Sequence, residues 1–178
     1  MLREIEIKRN EIITLLKTLK KLEFYYQKNF NEISVKELFN LVRTIRILTK
    51  YVEEINTVIE TTQSIIKEYD NKRIEICLKY CKKDQDGNPI IVNNNYTIDD
   101  TEKVDFDNEI KQLTSQYQNN LNDYKIKLKE LQELLNEKII IRVPLLSINI
   151  LPNNQDKEKR FYLDTNELSV LDILIEES

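Results

Sequence analysis

The sequence predicts a mainly α protein: an elongated antiparallel helical hairpin or coiled-coil bundle of three helices, carrying a small β-containing C-terminal cap and a short terminal helix. Three observations predict it. Apolar residues recur at helical spacing through most of residues 1–138, neither Gly nor Pro interrupts residues 34–83, and after Lys138 the pattern changes to β-branched residues and strand-like alternation. Residues 1–138 therefore read as a helical region and residues 139–178 as a strand–loop–helix cap.

The first helix is expected over residues 2–28, where positions 2, 5, 12, 16, 19, 22 and 26 are apolar. Phe24, Tyr25 and Tyr26 form an aromatic cluster near its end, and Asn29-Phe30-Asn31 invites a turn. Ser34-Val35-Lys36-Glu37 has the spacing of a capping box, which starts the second helix, expected over 34–83. One heptad position there reads Leu38, Ile45, Val52, Ile59, Ile66, Arg73, Tyr80, and the position three later reads Leu41, Leu48, Ile55, Thr62, Tyr69, Ile76. At 1.5 Å per residue, an unbroken helix of this span would be about 73 Å long.

Asp84 to Pro89 supplies turn formers that stop this helix, and Ile90-Ile91-Val92 and Tyr96-Thr97-Ile98 flank three Asn as a small β-hairpin or extended loop within 84–99. The third helix is expected over 102–137, with apolar positions at a mean spacing of 3.6 from Phe106 onward. Beyond it, Ile139 to Val143 is β-branched, and Leu146, Ile148 and Ile150 alternate with polar residues as in a half-buried strand. A charged loop at 153–160 leads to a short helix capped by Asp164 or Thr165, with Leu168, Leu171, Leu174 and Ile175 on one side.

Composition excludes several classes of function. The chain has one Gly and no His. A single Gly cannot build a Gly-rich phosphate loop or a Gly-x-Ser-x-Gly elbow, and without His the commonest general base and metal ligand is missing. No nucleophile, base and oxyanion donor assemble in the sequence, so the expected protein is not an enzyme and uses no cofactor or metal. Ala is absent while Ile and Asn are abundant, a bias toward AT-rich codons that points to a low-GC bacterium, a phage of one, or another AT-rich genome. No apolar run approaches the roughly 18 residues of a membrane span, and the N-terminus is too charged for a signal peptide, so no membrane partner is expected.

The net charge of −4 is uneven: residues 1–83 sum to +5 and residues 84–178 to −9. The expectation is that a basic helix pair docks against the acidic third helix, the alternative being an acidic face and a basic face that meet different partners. Lys36, Arg43 and Lys50, joined by Arg46, form a basic series on the second helix. Acidic residues at 37, 53 and 54 and the lack of an interleaved aromatic favour a solvated face over nucleic-acid binding. Asp84-Gln85-Asp86-Gly87-Asn88 places Gly fourth where a calcium loop needs it sixth, so a plain turn is expected. Cys77 and Cys81 are expected as buried free thiols, and Arg73 as a charge in the seam. The candidate interaction residues are Leu38, Leu41, Ile45, Leu48, Val52, Ile55 and Ile59 on the heptad stripe. To these are added the aromatic Phe24, Tyr25 and Tyr26, and Leu171 and Leu174 of the terminal helix.

The turn Tyr80-x-x-x-Asp84-x-x-Gly87-Asn88, with the closing Glu167-Leu168-Ser169-x-Leu171-x-x-Leu174-Ile175-Glu176, resembles a family of small phage proteins whose helices are joined by a Tyr-Gly-x-x-Asp-x-x-Gly-Asn type of turn. The resemblance covers about residues 60–178 and departs at Cys81, where those proteins often carry Gly. It implies a phage setting and carries no activity. Together these readings predict a non-enzymatic structural or assembly protein that contacts copies of itself or other phage proteins, in a virion or in the host cytoplasm. The alternative is a phage-encoded regulator or inhibitor that binds a host protein.

Overall fold

The computed structural model describes residues 2–152 and 161–175. The expected charged loop at 153–160 and the acidic pair Glu176-Glu177 lie outside the described residues. The protein is mainly helical, with six α-helices and a small antiparallel sheet among the described residues. It divides into two compact units, one of residues 1–58 with 132–178 and the other of residues 59–131.

The first seven described residues are a strand, not the start of a helix. In β1 (Leu2–Lys8) the buried Ile5 and Ile7 alternate with exposed Glu4 and Glu6, a period of two. Its partner is β4 (Lys138–Pro144), paired antiparallel with Ile5 opposite Ile141 and Ile7 opposite Ile139. Ile5, Ile7, Ile141 and Val143 face inward. On the outer face Arg142 reaches Glu4 at 2.5 Å and Lys138 reaches Glu6 at 2.7 Å. A helical reading of Leu2 and Ile5 fails because the strand that satisfies their backbone lies far along the chain.

Helix α1 (Arg9–Lys28) follows without a loop. Arg9 ties the junction: its backbone N–H donates to the Glu137 carbonyl at 3.2 Å, and its guanidinium reaches the Leu134 carbonyl at 3.2 Å and the Glu137 carboxylate at 2.5 Å. Ile12, Leu15, Leu16, Leu19, Leu22 and Tyr26 make its buried stripe. Helix α2 (Val35–Ser64) starts where Ser34 accepts from the Glu37 backbone N–H at 3.2 Å and donates to the Glu37 carboxylate at 2.9 Å. Leu41, Ile45 and Leu48 bury against the same core as α1 and the sheet. The seam's first half is thus satisfied within the chain.

The expected second helix breaks at residues 65–66, and α3 (Lys67–Tyr80) continues beyond. At the break the Ser64 side chain competes for a backbone group: Ser64 Oγ donates to the Thr61 carbonyl at 2.7 Å, while Ile65 and Ile66 make long i→i−3 bonds of 3.4 and 3.3 Å. Arg73, expected in the seam, is instead largely exposed and pairs with Asp70 at 3.5 Å. The expected third helix breaks at Tyr117 into α4 (Lys103–Gln116) and α5 (Gln118–Asn136).

Helices α3 and α4 run antiparallel. From the loop end backward, Tyr80 meets Phe106 and Glu109, Tyr69 meets Thr114, and Glu68 meets Tyr117. Two strands, β2 (Ile91–Val92) and β3 (Asn95–Tyr96), form the small hairpin expected between them, with Asn93 and Asn94 at positive φ.

In the cap, residues 148–150 form a short 3-10 turn rather than a strand. Ser147 caps it by accepting from the Asn149 N–H at 3.2 Å, and no described strand lies alongside to pair with it. The chain closes with α6 (Thr165–Asp172), held by a reciprocal box in which the Glu167 N–H donates to Asp164 at 2.8 Å and the Asp164 N–H donates to Glu167 at 3.0 Å. Leu146 N–H donates to the Leu174 carbonyl at 2.8 Å, and Lys21 of α1 forms an ion pair with Glu167.

Tyr26 joins these parts, since its buried hydroxyl donates to the Ile150 carbonyl at 2.7 Å. Burial pushes its phenol up to about 12 from the usual 10.0. A raised phenol adds no pH dependence below 10, and stability falls as the unfolded form ionises between pH 10 and 12. Tyr26→Phe strands the Ile150 carbonyl and is expected to cost about 1–3 kcal/mol in urea denaturation at neutral pH, while removing this residue's share of the alkaline loss.

Candidate interaction surfaces

The structure scatters the sequence-predicted interaction residues between core and surface. Leu41, Ile45, Leu48, Ile55, Tyr26, Leu171 and Leu174 are buried. Leu38, Val52, Ile59 and Tyr25 are half-buried, Tyr25 stacking edge-on against Tyr26 and Phe161 with centroids 5.2 and 5.5 Å away. Phe24 stays 59% exposed, with the Lys28 ammonium 4.2 Å from its ring centre. Of the twelve, Phe24 is the one classed as exposed.

The larger exposed apolar groups lie elsewhere. Phe30, Val35 and Phe39 lie at and after the α1–α2 turn and are 66%, 85% and 63% exposed. At the loop end of α3 and α4, Ile90, Ile91 and Val92 are exposed in succession, and Val104 opens the next helix exposed. Ile91 and Val92 sit in a two-residue strand, too short to turn one face inward.

This loop end is rigidly built. Lys82 N–H donates to Thr97 O at 2.7 Å, Ile90 N–H to Lys82 O at 2.8 Å, and Thr97 N–H to Ile90 O at 2.9 Å, so three segments bond to one another in a ring. Asp84 turns inward on its own loop, accepting from the N–H groups of Asp86 at 2.9 Å and Asn88 at 2.8 Å. Gly87 follows at φ +82°, a backbone conformation side chains disfavour. The resemblance to a calcium loop ends there, because the carboxylate is already spent on backbone donors. Asp99 likewise accepts from the Thr101 N–H and hydroxyl, and Asp100 pairs with Lys82 at 2.6 Å.

Below the loop, polar side chains join α3 to α4. Lys79 and the Tyr80 hydroxyl both contact Glu109, holding that carboxylate below its usual range. At the two helix breaks a second cluster forms. Tyr117 hydroxyl donates to Glu68 at 2.5 Å and accepts from Lys72 at 2.8 Å, with the Lys72 ammonium 5.1 Å from the Tyr117 ring centre. Asn120 donates to the Ile65 carbonyl at 3.5 Å, meeting an acceptor the break leaves open. Sequence reasoning missed this cluster, because its members stand 45 to 55 residues apart.

Two concavities accompany these features. One of about 600 Å³ beside the α2–α3 break is lined by Glu60, Gln63, Lys67, Asp70, Asn71 and Tyr124 among others. A groove of about 390 Å³ in the cap lies between Ile148, Leu151, Leu168 and Ile175. Cys77 and Cys81 are buried free thiols, and burial pushes the Cys77 thiol up, which lowers its reactivity. Among the described residues no group of three or more His, Cys, Asp and Glu is placed to hold a metal ion, and no helix is long and apolar enough to cross a membrane. The chain matches no protein-family model, no curated protein and no solved structure.

The Asp84 turn makes a signed prediction. Its hydrogen bonds hold the carboxyl below its ordinary value of 3.8, so the turn is stabilised above that pH and loosens as pH falls through the lower, folded value. NMR titration of the Asp86 and Asn88 amide protons is expected to show a midpoint below 3.8. A midpoint at or above that value contradicts the bonding.

Proposed function

We propose that this chain is a non-enzymatic structural or assembly protein that works through protein–protein contacts. The phage setting, in a virion or an assembly complex, follows from the resemblance of its turn and closing segment. The observation that carries the reading is the run of exposed Ile90, Ile91 and Val92 on a rigid loop end, joined by exposed Val104. Apolar groups held out on a well-bonded scaffold lose little conformational entropy on binding, which suits a contact surface.

A second reading, a phage-encoded regulator that binds a host protein, is favoured by one feature. The first half of the heptad stripe is buried within its own chain, so it does not call for a partner helix.

Light scattering behind size exclusion on untagged protein, over a range of concentrations, separates the two. Assembly predicts species that are multiples of 21.4 kDa and grow with concentration. A single species of 21.4 kDa at every concentration contradicts self-assembly and leaves the regulator reading.

A further inference from the structure

Helix α2 carries an unpartnered stripe on the side away from its core. Lys36, Phe39, Arg43, Arg46 and Lys50 follow the 3,4,3,4 spacing of one helical face and are all exposed. At 3.6 residues per turn they fall within an arc of roughly 80°, over about 21 Å of helix. The core residues Leu41, Ile45 and Leu48 fall on the opposite side.

The structure changes two facts about this stripe. Glu37, which interrupts it in sequence, is turned to Ser34 in the helix cap, and Phe39 supplies an aromatic in its midst. None of the four cations forms an ion pair with a described residue. Four unpaired cations around an exposed Phe, in a chain of net charge −4, call for an acidic partner with an apolar centre.

The chain holds such a surface itself. Residues 79–109 carry eight Asp or Glu against Lys79, Lys82, Lys83 and Lys103, a net charge of −4, with Asp100 tied to Lys82 and Glu109 to Lys79. Among these acids stand exposed Ile91, Val92 and Val104. Asp105 and Asp107 are exposed in the first turns of α4.

We infer that the Lys36–Lys50 face of α2 is a docking surface for the acidic loop end of a second copy of this chain. The cations meet the carboxylates at the rim while Phe39 meets the exposed aliphatic side chains. Such a contact joins two different patches, so unless two copies exchange it reciprocally it is heterologous, and repetition builds a ring or an open filament. The inference rests on the assembly reading and adds which surfaces meet.

Two neutralising variants of the full chain test it, each at exposed positions: Arg43→Gln with Arg46→Gln on the stripe, and Asp105→Asn with Asp107→Asn on the loop end. Circular dichroism checks folding, and Lys36→Gln with Lys50→Gln replaces the first pair should helicity fall. Wild-type mass is expected to rise with concentration at low salt and to drop toward 21.4 kDa near 1 M salt, where the screening length is about 3 Å. Each variant alone is expected to associate about tenfold more weakly or worse, the size of effect that losing rim charges has on steered contacts. Mixed, they are expected to form a one-to-one complex and stop there, since only one intact stripe and one intact loop end remain.

Variants that associate as the wild type does overturn this contact and leave the assembly reading standing. A wild type monomeric at every concentration overturns both. Binding of a single-stranded oligothymidylate that the wild type shows and the stripe variant alone loses makes nucleic acid the occupant, and overturns the second copy.

Discussion

The pairing of β1 with β4 is the constraint on which the rest depends. It brings residues 2–8 against residues 138–144, so the first unit is made from both ends of the described chain. For a flexible chain, closing a loop of about 130 residues costs roughly 4 kcal/mol beyond a constant. Burying Ile5, Ile7, Ile141 and Val143 returns on the order of 1.5–3 kcal/mol each, enough to offset it. Once the strands meet, Arg9 locks the corner onto Leu134 and Glu137, and α1 is launched across the core with Tyr26 positioned to reach Ile150. The second unit, residues 59–131, is an excursion between these ends.

That excursion follows different rules. Its helices are held less by a broad apolar core than by tyrosines that are apolar along the ring and polar at the tip. Tyr80 and Tyr117 each pack an aromatic neighbour and bond a Glu that a Lys also contacts. Repeating this arrangement near the loop end and near the helix breaks gives α3 and α4 a register that apolar side chains alone would leave loose. The ring of backbone bonds among residues 82, 90 and 97 then fixes the loop, which is why its aliphatic side chains can stay outside without collapsing inward.

Local signals were legible in the sequence wherever a short pattern decides the structure. The capping residues Ser34 and Asp164, the turn formers from Asp84 and the Asn-rich hairpin all depend on neighbours a few residues away, and the strand at Ile139 to Val143 is marked by its own β-branched run. What was not legible depends on partners. Leu2 to Lys8 reads as the start of a helix until its strand partner is known, and Leu146 to Ile150 has the alternation of a strand without one to join. The helix breaks at 65–66 and at Tyr117 go with Ser64 Oγ bonding the Thr61 carbonyl and with Asn120 and Tyr117 meeting Ile65 and Glu68 from about 50 residues away. For the candidate site, the heptad stripe marks core as readily as interface. Position 39 shows how a face is misjudged: the sequence reading finds no aromatic interleaved in the basic series, yet Phe39 stands exposed among its four cations.

The most direct test of this account is hydrogen exchange of the backbone amides of residues 2–8, followed by mass spectrometry under native conditions. Pairing with β4 predicts that the inter-strand amides of β1 and β4 exchange together and slowly, at the rate of α1 and α6, because all four open with one core. Fast exchange across residues 2–8 while β4 stays protected contradicts the claim that the two ends of the chain make the first unit.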